Sequence, residues 1–242
     1  MAGEFRWTGF DYLGESMFGW PAKLWNFGII DMCGFPKDTY YFYQSQWTEE
    51  PMVHILPHWN WKGKEGVEIP VVAYSNCDSV ELILNGKSLG KKEMGDLMDL
   101  MWKVPYEPGT LIAKGYKEGK MVSEKVITTA DAPAKIELLA DTQVIDANGQ
   151  DVVHVEVNIL DANNNFVPDA SNNIKFTVEG EATILAVDNG DPKSEESFVG
   201  NTRKAFNGKC IIIVKATKKS GPITITAEAE GLEGAKVVAK SI

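Results

Sequence analysis

Beyond residue 50 the sequence is a succession of short apolar, β-branched runs closed by turn residues. Residues 67–74, 79–84, 87–94, 100–105, 110–116 and 121–129 form a first series. Asn85-Gly86, between the second and third runs, is a hairpin signal, because a tight hairpin turn needs residues that tolerate positive φ. Pro108-Gly109 and Glu118-Gly119 divide the later runs. Short strands with regular turn signals predict a β-sandwich. Asp131-Ala-Pro133-Ala reads as a linker, and a second series follows at 135–140, 152–160, 174–178, 182–187, 210–215, 223–229 and 235–242. Ile211 to Val214 is apolar without alternation, the pattern of a strand covered on both faces. The stretch from His54 to Trp61 reads as an edge strand, because Pro57 cannot donate to a ladder.

The first 50 residues follow a different pattern. Residues 4–10 alternate with a period of two, Phe5, Trp7 and Gly9 against Glu4, Arg6 and Thr8, and predict a strand. A long loop from Ser16 to Gly34 follows, and long ordered loops tend to carry function. Pro36 stops extended structure, Asp38 is placed to cap a helix, and residues 39–47 are expected to be helical, with Tyr40, Tyr43, Gln44 and Trp47 on one face. That face suits packing against a neighbouring domain. Glu49-Glu50-Pro51 ends the helix.

Aromatic content sharpens this division. Of 24 aromatic residues, 16 lie at or before Trp61. Trp7, Phe10, Tyr12, Phe18, Trp20, Trp25 and Phe27 fall in one run broken by Gly9, Gly14, Gly19 and Gly28. Such loops leave ring faces at an edge of the fold. Flat rings beside carboxylates suit a sugar, which offers C–H faces and hydroxyl groups.

Composition narrows the function classes. The 242 residues are enough for one large domain or two ordinary ones. The net charge of −10 argues against binding a phosphate backbone, so no nucleic-acid partner is expected. The acidic excess is concentrated after residue 130, with 17 acids and 11 bases against 10 of each in residues 51–130, which supports a boundary there. No apolar run approaches the ~20 residues of a membrane span, no leader pattern follows Met1, and no membrane partner is expected. Cys33, Cys77 and Cys210 are far apart and odd in number, so buried thiols are expected rather than a zinc site or disulfides.

Several motifs invite chemistry and are read structurally. Asp161-x-Asn163-x-Asn165 resembles a calcium loop but carries Phe166 and Asn172 where glycine and glutamate belong, so a polar hairpin turn is expected. Asp188, Asp191, Glu195 and Glu196 read as a solvated acidic loop. His54 and His58 are four apart, but Pro57 favours extended chain over a helical metal pair. No metal and no cofactor is expected.

The opening G-E-F-R-W-T-G-F-D-Y-L-G-E, then G-F-P-K-D-T-Y-Y-F-Y-Q-S and H-I-L-P-H-W-N-W, resembles glycoside hydrolase family 2, in particular its bacterial β-galactosidases. V-E-L-I-L-N-G-K-S-L-G is similar to the immunoglobulin-like domain that follows the catalytic barrel in that family, and the stretch after Asp188 to its C-terminal sandwich. The resemblance implies a mainly β chain: residues 1–50 as the last strand, loop and helix of a (β/α)8 barrel, then two tandem immunoglobulin-like β-sandwiches at 51–130 and 131–242. Most of the barrel would lie before Met1. Retaining glycosidases need two carboxyls about 5–5.5 Å apart, and the family's two glutamates lie on earlier strands. Glu4, Asp11 and Glu15 are the local carboxylates, and no catalytic residue is assigned among them.

The resemblance implies substrate contacts at Trp7, Asp11, Phe35 and Lys37. Trp7 would stack on the sugar of a β-galactoside or of a plant or host glycan bound by the parent enzyme, or serve as a barrel-core residue. Asp11 would accept hydroxyl hydrogen bonds or cap the following loop. Gly-Phe-Pro-Lys stands where glucuronidase-type members have Asn-x-Lys, which favours a neutral sugar. The parent enzyme is expected to be periplasmic or at the cell surface, the chain alone inactive, and its first 50 residues packed on the rest of the barrel and, through their aromatics, on the first sandwich. A carbohydrate-binding or structural tandem-sandwich module is the alternative.

Overall fold

The computed structural model describes residues 3, 5–14, 16, 19–95 and 99–242. In chain order its elements are β1 (Tyr12–Leu13), β2 (Leu24–Trp25), α1 (Asp38–Trp47), β3 (Val53–Leu56), β4 (Glu68–Ser75), β5 (Ser79–Leu84), β6 (Lys87–Glu93), β7 (Asp99–Pro105), β8 (Thr110–Lys117), β9 (Lys120–Thr128), β10 (Lys135–Ala140), β11 (Val144–Ile145), β12 (Val152–Leu160), β13 (Asn173–Gly180), β14 (Ala182–Asp188), β15 (Thr202–Lys204), β16 (Lys209–Ala216), β17 (Gly221–Glu228) and β18 (Ala235–Ser241). The chain is mainly β and divides into two compact units, Pro36–Ala130 and Met1–Phe35 with Asp131–Ile242.

In the unit Pro36–Ala130, a sheet ordered β3-β4-β7 faces one ordered β6-β5-β8-β9. Strand β4 alternates buried and solvent-facing positions, as its sequence pattern requires. Its inward residues Ile69, Val71 and Ala73 meet Val80, Leu82 and Leu84 of β5, around the buried Trp59, Trp102 and Tyr106. The Trp59 indole N–H donates to the Glu107 carbonyl at 3.0 Å, so its polar atom is satisfied inside the core. Asn85 and Gly86 both have positive φ in the β5–β6 turn, as the Asn-Gly pair predicts.

Helix α1 packs on this sandwich through Phe42, whose ring meets Tyr74 edge-on at 5.4 Å, and Tyr41, stacked on His54 at 3.8 Å. Its N-cap is Lys37, with no side-chain cap bond. Asp38, expected as the cap, is the first helical residue, and its carboxylate binds His54 Nε2 at 3.0 Å. His54 thereby has a structural partner across the helix–strand junction.

In the other unit, a sheet ordered β10-β12-β16-β14 packs on one ordered β11-β18-β17-β13-β15. The core joins Val153, Val155, Val157, Ile212 and Val214 to Ile174, Phe176, Ile223 and Ile225, all fully buried. The two-residue β11 and three-residue β15 leave no mark in the sequence pattern, because two or three residues show no period.

By compactness the stretch up to Phe35 falls with the second sandwich, and α1, whose Tyr41 and Phe42 pack on His54 and Tyr74, falls with the first. The expected strand 4–10 is not formed over 5–9, and Glu4 lies outside the described residues. A strand exists only when paired, and this stretch has one isolated parallel bridge, Phe10 with Ile30. The backbone of 9–11 is held by Ile30 N–H to the Gly9 carbonyl at 3.0 Å and Asp11 N–H to the Ile30 carbonyl at 2.9 Å. Just before the expected loop, β1 pairs antiparallel with β2, which lies within it.

Candidate functional site

The outer face of β16 shows what the unbroken run Ile211–Val214 means. Ile212 and Val214 point into the sandwich core. Ile211 and Ile213 instead line a groove of about 550 Å³ with Phe10, Leu13, Met32 and Cys33 of the N-terminal segment. Both faces of the strand are covered, one by the opposite sheet and one by Phe10, Leu13, Met32 and Cys33. The segment is tied down further by Lys23, whose backbone N–H donates to the Pro192 carbonyl at 3.0 Å and whose ammonium lies 4.8 Å above the Phe198 ring.

Trp7 is 69% exposed, on the solvent side of this segment. Its indole N–H donates to the Tyr12 hydroxyl at 3.2 Å, and the two rings meet edge to face at 6.0 Å. Its one polar atom is used, and most of the side chain faces solvent. Phe5, Phe10, Trp20 and Phe27 are exposed on the same segment. Glu15 and Phe18 lie outside the described residues.

Asp11 is buried, and its Oδ1 accepts the Gly28 N–H at 2.8 Å. Of the two roles implied for it, the geometry here is that of a loop-holding carboxylate. Phe35 is half-buried, with the Lys209 ammonium 4.9 Å above its ring and 5.5 Å above Phe166. Lys209 is also paired with Glu156. Lys37 is half-exposed in the other unit, at the N-cap of α1. Trp7, Asp11 and Phe35 therefore share one unit and Lys37 belongs to the other.

A carboxylate that the sequence reading did not single out lies beside these residues. Asp31 Oδ1 accepts the N–H groups of Cys33 and Phe35, both at 2.8 Å. Burial pushes its carboxyl up from 3.8 to about 6, with the charges of Asp11 and Asp188 adding to the rise and the two N–H donors opposing it. Its sequence signal was the D-x-C-x-F spacing of an Asx turn, but which carboxylates would face it is decided by chain far away. Burial, followed by the charges of Asp188 and Asp31, holds the Cys33 thiol far above its ordinary range, so it is a protonated thiol and no nucleophile. Cys210, fully buried, is raised the same way.

The centre of this cluster is Arg203, fully buried on β15. Its Nη2 donates to Asp188 Oδ1 at 2.6 Å and to Asn189 Oδ1 at 3.0 Å, and Nη1 donates to the Glu196 carbonyl at 3.3 Å. The acidic loop is thus folded around a cation of its own chain. Asp191 and Glu196 accept the backbone N–H groups of Lys193 and Lys204. Asp161 is also filled: it accepts N–H groups from Asp131, Asn163 and Asn165 and the Asn165 amide. Burial alone would raise its carboxyl, but these donors outweigh burial and hold it below the usual range. Among the described residues no group of three or more His, Cys, Asp or Glu side chains is arranged to hold a metal ion. No helix among them is long and apolar enough to cross a membrane.

Comparison with known proteins agrees with this architecture. Residues 136–238 match the family described as glycoside hydrolase family 2 C-terminal domain 5, and residues 66–123 match a domain of unknown function, DUF4982. The chain is 46% identical over 238 residues, 97% of its length, to a protein named beta-galactosidase BoGH2A from Bacteroides ovatus, of which it spans 28%. It is 42% identical over 225 residues, 89% of its length, to a putative beta-glucuronidase from Formosa agariphila, of which it spans 22%. It superposes with a TM-score of 0.94 on the crystal structure of a beta-glycosidase from Bacteroides vulgatus, at 42% identity, covering 98% of this chain and 30% of that one. The chain spans less than a third of each of these relatives.

Proposed function

Because this chain corresponds to the C-terminal portion of glycoside hydrolase family 2 enzymes, we propose that it is the accessory portion of a retaining β-galactosidase-type glycosidase. In this reading residues 1–50 close the catalytic barrel and pack against its earlier strands, and two sandwiches support them. The reaction is hydrolysis of a terminal β-galactoside through a covalent glycosyl-enzyme, with both catalytic glutamates on barrel strands outside this sequence. The observation that carries the reading is Trp7: an exposed ring, fixed by Tyr12, on a chain nearly half identical to a named β-galactosidase. Its free face suits the C–H face of a galactosyl unit, with Phe35 and Lys37 as further contacts and Asp11 holding the backbone at Gly28.

The β-glucuronidase names among the relatives support a second reading, a uronic acid substrate with Lys37 pairing the carboxylate. The Gly-Phe-Pro-Lys sequence favours the neutral sugar. Two assays decide. The purified chain is expected to leave an aryl β-galactoside intact, and turnover above a mock purification would overturn the accessory reading. In the full-length enzyme, a Trp7→Ala change is expected to lower kcat/KM for the aryl β-galactoside by about 10- to 100-fold, the equivalent of ~1.4–2.7 kcal/mol of binding to the transition state. Preference for the aryl β-glucuronide would replace the galactoside reading with the uronic acid one.

A further inference from the structure

One neighbouring stretch holds both Trp7 and Tyr12. Tyr12, half-buried on β1, lies opposite Trp25 of β2, whose ring stacks on Phe27 at 5.1 Å. On the Trp7 side, the Arg6 guanidinium donates to the Phe27 carbonyl at 3.0 Å, and the Ile29 N–H donates to the Thr8 carbonyl at 3.2 Å. Residues 25–29 therefore anchor both partners of the contact. Within it the Trp7 indole N–H is the donor and the Tyr12 hydroxyl oxygen is the acceptor. An indole N–H lies in the plane of its ring, so the Tyr12 oxygen sits at the rim of the Trp7 ring rather than over a face. A phenol hydroxyl also has one hydrogen to donate. Among the described residues no acceptor takes that hydrogen. Accepting from the indole polarises the hydroxyl and strengthens the bond it gives.

We propose that Tyr12 is a sugar-binding residue, whose hydroxyl donates a hydrogen bond to one hydroxyl oxygen of the sugar stacked on Trp7. The inference rests on the reading of Trp7 as the sugar platform. A sugar lying on an aromatic ring carries its equatorial hydroxyls outward past the rim of that ring, which is where the Tyr12 oxygen lies. The platform's own donor, the indole N–H, is engaged by Tyr12. Tyr12 returns that donor at the rim, half-buried and held by its β1–β2 pairing. The phenol brings no charge to the site, so the contact recognises a neutral hydroxyl rather than a carboxylate.

The test is made in the full-length enzyme with Tyr12→Phe, which keeps the ring and removes the hydroxyl. The change is expected to lower kcat/KM for an aryl β-galactoside by about 5- to 10-fold. With a series of monodeoxy aryl galactosides, that loss should vanish for the one lacking the contacted hydroxyl and persist for the others, because a bond already absent cannot be lost again. An equal loss across the series, or no loss at all, overturns the proposal. Trp7→Ala assayed alongside separates two failures. Full activity in Trp7→Ala removes the platform and the Tyr12 contact with it, whereas an impaired Trp7→Ala beside an unimpaired Tyr12→Phe sinks the Tyr12 contact alone. If Tyr12→Phe fails to fold, a crystal structure of the full-length enzyme with galactose bound decides. Tyr12 Oη within ~3.2 Å of a sugar oxygen supports the contact, and a longer separation overturns it.

Discussion

Gly28 and Asp11 are locked together by two features of the same contact. The Gly28 N–H donates to Asp11 Oδ1 at 2.8 Å, and a Cβ on Gly28 would lie 2.2 Å from the Asp11 backbone nitrogen. The backbones of 9–11 and 28–30 can approach this closely only because residue 28 has no side chain. The overlap is with backbone on both sides, so no rotamer change relieves it. Gly28→Ala is therefore expected to loosen the segment by about 1–3 kcal/mol, seen as a roughly 10- to 100-fold fall in hydrogen-exchange protection for residues 8–11 and 27–30. Gly9, in the same segment, has nothing within 4 Å of an added Cβ. Gly9→Ala should leave that protection unchanged, and an equal loss in both variants would mean that crowding at Gly28 is not what matters.

Two tryptophans of one chain should differ widely in what truncation costs. Trp59 is 1% exposed, its ring meets Tyr106 at 5.2 Å, and its N–H is bonded inside the core. Trp59→Ala should cost about 3–5 kcal/mol, lowering the melting temperature of the first sandwich. Trp7, mostly in solvent, should cost about 0.5 kcal/mol or less when replaced by alanine. A large stability loss in Trp7→Ala would assign that ring to packing within this chain and remove it as a sugar platform.

Arg203 should dominate the stability of the second sandwich. Truncation to methionine removes a fully buried cation and leaves Asp188, which is 15% exposed at its side chain, facing Asn189 and Glu196 without it. A loss of about 3–5 kcal/mol is expected in urea denaturation. Adding Asp188→Asn to Arg203→Met should recover part of that loss, because the orphaned charge is then gone. If the double variant is as unstable as the sum of the singles, charge neutralisation is not the role of the pair.

Acid should weaken the Asp161 turn. The Asp161 carboxyl is held below its ordinary value by its donors, so its contribution is full above about pH 4 and is lost as pH falls through the lower, folded value. Asp161→Asn loses acceptor capacity for the Asp131 N–H and the Asn165 amide. It should destabilise the chain by about 1–2 kcal/mol at pH 7 and flatten the stability profile below about pH 4. Thermal melts of parent and variant across that range check both signs, and a variant profile as steep as the parent's would contradict the assignment.

The sequence by itself determined the strands, because the information is local. In β4 the alternation of apolar and polar residues places Ile69, Val71 and Ala73 inward whatever lies opposite, and Asn85-Gly86 turns the chain through its own backbone preferences. It also marked Ile211 to Val214 as covered on both faces and Trp7 as a ring at an edge. What covers Ile211 and Ile213 was not legible, since apolar burial is non-directional and Phe10, Leu13 and Met32 lie roughly 180 to 200 residues away in the chain. For the same reason the division at Phe35 and the missing strand over residues 5–9 came only from the tertiary structure: pairing needs a neighbour, and no residue encodes its neighbour's identity. Asp38 shows this at the scale of one side chain. Its sequence position suits a cap, and the presence of His54 across the junction makes it a partner instead. Asp31 shows it for chemistry, because its titration is set by burial against Gly190 and by Asp188 and Asp11, groups brought together only when the chain folds.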